Sequence, residues 1–149
     1  MTLQNNTQHS AKKILIAGET PISINIAIDL SNSAYEVTFV SKSIDILQKL
    51  PESKITEGHI KAIYTDITDT NLFEKHIEEE IDIFLALTDS DSINGFMCQI
   101  MKHIHNIPIT ICSIENSNYL ELYSNLGIKT INRTSLMIES ITNSLNLLK

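Results

Sequence analysis

Ile14-Leu15-Ile16-Ala17-Gly18-Glu19-Thr20-Pro21-Ile22-Ser23 is the stretch on which the reading of this chain turns. An apolar run closes on a glycine, and a helical pattern begins within three residues of it. That is the sequence form of a buried strand turning sharply into a helix. Ile22, Ile26 and Leu30 then recur on one helical face, with Ala27 beside them. A dinucleotide-binding turn carries G-x-G-x-x-G at this place. Here the three glycine positions hold Gly18, Thr20 and Ser23.

Outward from that turn the same switch of period repeats. Val37–Val40 is a second strand, and Ser41–Leu50 returns to helical spacing through Ile44, Leu47 and Leu50 until Pro51 stops it. Ala62–Thr65 is a third strand, followed by a short polar helix over Thr70–Ile77. Ile81–Leu87 is the most continuous apolar strand. The clearest helix is Asp91–His105, striped by Ile93, Phe96, Met97, Ile100, Met101 and Ile104. Pro108–Cys112 and Ile128–Ile131 complete the strands. Between them lies a helix over Tyr119–Leu126, with Gly127 expected as its left-handed cap. Thr134–Leu148 is the final helix. Six strands alternating with helices predict an α/β fold, a Rossmann-like doubly wound parallel sheet with helices on both faces. One domain is expected over 12–149, after a polar flexible tail over 1–11.

Composition narrows the function classes. The 149 residues are 42% hydrophobic and carry a formal charge of −7. No cluster of Lys and Arg offers the positive field that phosphate backbones require, so nucleic acid is not an expected partner. No apolar run approaches the roughly 20 residues that cross a bilayer. The polar first ten residues read as neither signal peptide nor anchor. Cys98 and Cys112 lack C-x-x-C spacing and are expected as buried free thiols. His103 and His105 are two apart on a helix and so cannot pair as ligands, and no metal motif is present. Met97 and Met101 read as packing, and Glu78–Glu80 as a solvated acidic run.

Ligands of open parallel sheets bind beyond the carboxyl ends of the strands. Four loops lie there: Gly18–Ser23, Ser41–Ser43, Thr65–Asp69 and Thr88–Asp91. In the first, Thr20 occupies the space through which a pyrophosphate approaches backbone. With Pro21 it also forms an N-cap and first helical residue. A helix amino terminus that still attracts an anion and one that is simply closed both fit. In the second loop Ser41 stands where an acid bonds ribose, and Lys42 favours either a phosphate or solvent. In the third and fourth, Asp69, Ser90 and Asp91 suit helix capping, whereas Asp66 sits closer to the strand end.

Together Ile14–Gly18, Val37–Val40, Asp66 with Thr68-Asp69, and Asp82–Asp91 with Asn94 resemble the nucleotide-binding lobe of RCK (Trk-type) potassium-transport regulators. Asn118-Tyr119, Leu126-Gly127-Ile128 and the helix after Asn132-Arg133 fit as well, so the similarity covers nearly all of Lys12–Lys149. The resemblance implies a non-catalytic sensor of NAD(H) or an adenine nucleotide such as ATP, ADP or AMP. It implies a homodimer or higher ring, cytoplasmic and peripheral to the membrane's inner face, gating a potassium transporter or channel subunit. Such lobes continue into a smaller second lobe, so this chain is expected to be one piece of a longer regulator. Carried over by position, Gly18, Thr20 and Ser23 face the phosphates, Ser41 the ribose, Asp66 and Ile67 the adenine, and Thr88 the cofactor's far side. Glu19, Ile22 and Lys42 complete the candidate cofactor-binding set. The chain departs from the family at the second and third glycines, at Pro21 in place of a basic residue, and at Ser41 in place of the ribose acid. Each departure removes a phosphate or ribose contact.

Three other readings are weighed. A short-chain dehydrogenase needs Tyr-x-x-x-Lys, and no tyrosine here has a lysine four residues on. A phosphorelay receiver matches Asp66 and Thr88, but Glu19 is a single acid where a pair is needed and Ser113 replaces the lysine. A scaffold lobe that has lost its ligand keeps the fold and an association surface. For that surface the final helix offers Leu136, Ile138, Ile141, Leu145 and Leu148, to cover its own sheet or a partner's.

Overall fold

The computed structural model describes residues 10–75, 77 and 80–148. Most of the expected tail, together with Glu78 and Glu79 of the acidic run, lies outside the described residues. The strands are β1 (Lys13–Gly18), β2 (Glu36–Ser41), β3 (Ile60–Tyr64), β4 (Ile83–Leu87), β5 (Ile109–Ser113) and β6 (Lys129–Ile131). All neighbours pair in parallel, in the order β3-β2-β1-β4-β5-β6. The helices are α1 (Pro21–Asn32), α2 (Ile44–Leu47), α3 (Glu52–Thr56), α4 (Thr70–Glu74), α5 (Asp91–His103), α6 (Leu120–Asn125) and α7 (Arg133–Asn146). The Rossmann-like doubly wound sheet expected from the alternation is therefore present.

β1 is the centre. Its residues alternate between two cores because strand side chains point to opposite faces. Leu15 and Ala17 join Phe84 and Ala86 against Met97, Cys98 and Met101 of α5 and Tyr123 of α6. Ile14 and Ile16 join Val37 and Phe39 against Ile24 and Ala27 of α1 and Ile46 of α2. Cys98 and Cys112 are buried free thiols, as their segments predict. The neighbouring Cys112 thiol, together with burial, pushes the Cys98 thiol far up, so it stays protonated. Gly127 has φ 75°, the left-handed value expected of a helix cap.

The helices are rotated from their expected faces. α1 buries Ser23, Ile24, Ala27 and Ser31, leaving Ile22 46% exposed. The turn sets this angle: Thr20 and Ser23 form a reciprocal capping box that swings Ser23 inward under Gly18. α5 buries Asn94, Gly95, Met97, Cys98 and Met101, while Phe96 and Ile104 of the expected stripe are exposed. The helix predicted over Ser41–Leu50 is broken. Ser41 completes β2 opposite Tyr64, Ser43 caps α2, and Pro51 opens α3 with φ −62° instead of ending a longer helix.

The larger difference concerns coverage. One face of β4–β6 carries α5 and α6; among the described residues the other has no helix of its own. Ile83, Leu85, Leu87, Ile111 and Ile131 line an open apolar groove of about 310 Å³ there, bounded by Ile26 and Leu30 of α1. α7 does not cover it, since every residue of that helix is exposed.

A Cβ added to Gly18 would run into the Phe39 ring and the Ser23 hydroxyl, both fully buried. Gly18→Ala is therefore expected to cost about 1–3 kcal/mol of stability, the size of core overpacking. Urea denaturation checks this; an unchanged midpoint would mean that Phe39 yields freely.

Candidate functional site

Strand order reverses between β1 and β4, so the chain leaves their ends toward opposite faces and a crevice opens between. At this point lies a cleft of about 200 Å³ lined by Glu19, Lys42, Asp66, Ile67, Thr68, Thr88, Asp89 and Ile93. Five of the sequence-derived residues meet there: Glu19, Lys42, Asp66, Ile67 and Thr88. Gly18, Thr20, Ile22, Ser23 and Ser41 are not among its lining residues. Thr68, Asp89 and Ile93 were missed as site residues. The first two belong to the polar loops already singled out, and Ile93 reads from sequence as one more position of an apolar stripe.

The first loop is closed on itself. The Thr20 hydroxyl accepts from the Ser23 N–H at 3.3 Å, and the Ser23 hydroxyl accepts from the Thr20 N–H at 3.3 Å. Pro21 has no N–H to offer. Two of the donors that could meet a pyrophosphate, the Thr20 and Ser23 N–H groups, are thus already used. Ser41 is likewise withdrawn: it is fully buried, and its hydroxyl accepts from the Ser43 N–H at 3.1 Å. Glu19 behaves differently. Its carboxylate crosses from the end of β1 and accepts from the Lys42 N–H, just past β2, at 3.2 Å.

The third loop is shaped by Asp66, whose Oδ1 accepts from the Thr68 N–H at 2.9 Å and the Thr68 hydroxyl at 2.6 Å. That hydroxyl, and next the backbone N–H, hold the Asp66 carboxyl below its ordinary value. The fourth loop hangs on Asn94, almost fully buried on α5. Its Oδ1 accepts from the Thr88 N–H at 3.0 Å and the Thr88 hydroxyl at 2.7 Å. Its Nδ2 donates to the Thr88 carbonyl at 3.1 Å and the Ser113 carbonyl at 2.8 Å. The ends of β4 and β5 are therefore tied through one amide, and the Thr88 hydroxyl serves the loop.

Capping explains Ser90, which accepts from the Ile93 N–H, but not Asp91. The Asp91 carboxylate reaches the loop after β5 and accepts from the N–H groups of Glu115 and Asn116 at 2.9 and 2.8 Å. Glu115 in turn accepts from Arg133 Nε at 2.9 Å and from the Thr134 hydroxyl at 3.0 Å, fixing where α7 departs. The Arg133 contact, foremost, holds the Glu115 carboxyl below its usual range. Among the described residues no group of three or more His, Cys, Asp or Glu could hold a metal ion.

Residues 14–133 match the model of the TrkA-N domain. The chain belongs to the TrkA-N family. It is 27% identical over 108 residues to the Trk system potassium uptake protein TrkA of Haemophilus influenzae, a match covering 72% of this chain and 23% of that protein. The chain thus spans about a quarter of that relative. Among solved structures, the Kef C-terminal domain of Shewanella denitrificans in its AMP-bound form superposes with TM-score 0.70 at 16% identity, covering 92% of this chain and 82% of that one. The GsuK channel bound to NAD gives TM-score 0.62 at 18% identity, covering 83% of this chain and 22% of that one. These likenesses show the Rossmann-type fold of the TrkA-N domain.

Asn94→Leu keeps the bulk but strands the Thr88 N–H, the Thr88 carbonyl and the Ser113 carbonyl. It should cost about 3 kcal/mol or more, given roughly 1–3 kcal/mol per buried unsatisfied group, as read by chemical denaturation. Asp66 also sets an acid limb. Its folded pKa lies below the unfolded value, so its contribution is present above about pH 4 and is lost as pH falls through the folded value. Asp66→Asn should flatten the loss of melting temperature as pH falls below about 4; an identical acid limb in the variant would refute the assignment.

Proposed function

We propose that the chain is a regulatory, non-catalytic domain that senses an adenine nucleotide and passes its occupancy to a membrane potassium transporter or channel subunit. The cleft at the β1–β4 reversal carries this reading, because it gathers loops from four strand ends around one small polar opening. The TrkA-N family, a relative named for potassium uptake and fold neighbours solved with AMP and with NAD support it. Among the described residues no helix is long and apolar enough to cross a membrane.

A mononucleotide suits the cleft better than intact NAD. The capping box consumes pyrophosphate-facing donors, and among the lining residues three carboxylates stand against one ammonium, Lys42. One phosphate can sit near Lys42, whereas further phosphates meet Glu19, Asp66 and Asp89.

A second copy of the chain is the proposed occupant of the bare face of β4–β6. The same chain carries an apolar helix with no receptor and an apolar groove with no helix. A two-fold pair satisfies both at once, each α7 covering the other's sheet, as an isologous interface requires. Sedimentation of an Ile141→Asp, Leu145→Asp variant should show monomer where the parent protein is a dimer. A monomeric parent at high concentration would exclude the pairing for this chain.

Calorimetry with AMP, ADP, ATP, NAD and NADH tests the ligand. AMP is expected to bind more tightly than ADP, ATP or NAD, and a ligand at one hundred times its Kd should add about 2.7 kcal/mol of stability. No heat and no thermal shift with any of the five at millimolar concentration would overturn the sensor and favour the ligand-free scaffold.

A further inference from the structure

We propose that Glu19 is the ribose-binding acid of this domain, moved from the end of the second strand to the turn after the first. The inference rests on the nucleotide reading above and deepens it. In a dinucleotide-binding fold an acid about 20 residues beyond the glycine turn accepts hydrogen bonds from the ribose hydroxyls. That place, the end of β2, is held here by Ser41, whose side chain is fully buried and engaged with Ser43. No acid on β2 faces the cleft.

Glu19 supplies one from the opposite side. Its Oε1 rests 3.2 Å from the Lys42 backbone nitrogen, so the carboxylate lies at the very end of β2 although its backbone lies in the turn after β1. The Lys42 N–H uses one lone pair on one oxygen. Both oxygens retain acceptor capacity, and Glu19 lines the cleft. A vicinal diol offers two O–H donors at the spacing of a carboxylate's two oxygens, so a cis-diol is the chemical class that this arrangement fits. The same charge repels a phosphate placed on either hydroxyl.

The ligand class is therefore a nucleoside monophosphate whose 2′- and 3′-hydroxyls are both free. The opposite exchange of residues explains why the glycine turn tolerates Thr20 and Pro21. Once the acid stands on the first loop, that loop binds the sugar rather than a pyrophosphate.

The test compares AMP, 2′-deoxy-AMP, 3′-deoxy-AMP and adenosine 2′,5′-bisphosphate by calorimetry, on the parent chain and on Glu19→Gln. Gln keeps an acceptor for the Lys42 N–H but replaces the second carboxylate oxygen with a donor. The parent is expected to bind AMP about tenfold or more tightly than either deoxy analogue, the loss of a hydrogen bond to a charged group. It should bind the 2′-phosphate compound more weakly still. Glu19→Gln should bind AMP about tenfold more weakly and bring the ratio of AMP to deoxy-AMP close to one. Glu19→Asp, which falls short of Lys42 by one methylene, should behave in the same way. Melting curves without ligand identify any variant that has lost its fold. AMP bound with no discrimination against the deoxy analogues, or discrimination that survives Glu19→Gln, overturns the role of Glu19 and leaves the nucleotide reading standing. No AMP binding by the parent overturns the role of Glu19, and no binding of ADP, ATP, NAD or NADH either overturns the nucleotide reading with it.

Discussion

Every other feature of this fold depends on a strand that must be paired along both edges. β1 is buried from Ile14 to Gly18, so its peptide groups there find no water and each needs a partner strand. β2 takes one edge and β4 the other, with Ala17 lying between Val40 and Ala86. Because β3 already extends the β2 side, the chain has to cross back over the sheet to reach β4. That crossing turns the loops after β1 and β4 to opposite faces. The cleft is the space they leave, and it is a consequence of pairing before it is a property of any side chain.

The loops around the cleft are held by their own polar groups. Asn94 ties β4 to β5, Asp91 reaches the loop beyond β5, and Asp66 folds the third loop over Thr68. A buried amide with all its bonds made stiffens what it joins, since breaking any one strands a buried group. The capping box at Thr20 and Ser23 follows the same logic at a cost in ligand contacts. It stabilises α1 with donors that an open glycine turn would keep for phosphate. In this TrkA-N domain the helix end is closed on itself, and polar side chains stand at the cleft's rim.

Packing is uneven in a way that stability alone does not explain. α1 and α2 seal one face of β1–β3 and α5 and α6 seal the other side, yet the face over β4–β6 stays apolar and open. α7 extends with Leu136, Ile138 and Ile141 each more than half exposed. Monomeric soluble proteins rarely expose contiguous apolar surface on a large scale. Glu115, through Arg133 and Thr134, anchors the base of α7, so the helix is presented at a set angle and not left to find its own sheet.

Local pattern was enough to reveal the fold. The run Ile14–Gly18 with its capped helix, the β-branched segments and Gly127 each declare themselves within a few residues, because strand and helix periods are properties of neighbours in sequence. The loops at the strand ends were legible for the same reason, and with them Asp66, Ile67 and Lys42. Helix rotation was not legible. Whether Ile22 or Ile24 faces the core depends on the angle at which the Thr20–Ser23 box delivers α1, and Ile22 and Ile24 are equally apolar. Nor could spacing show that Ser41 turns inward while Glu19 reaches across to Lys42, since 23 positions separate that hydrogen bond's partners. An apolar stripe likewise reads the same whether it packs on its own sheet or stays exposed, as α7 does. Pairing between strands and the direction of each turn decided these matters, and both are set by contacts that no local window contains.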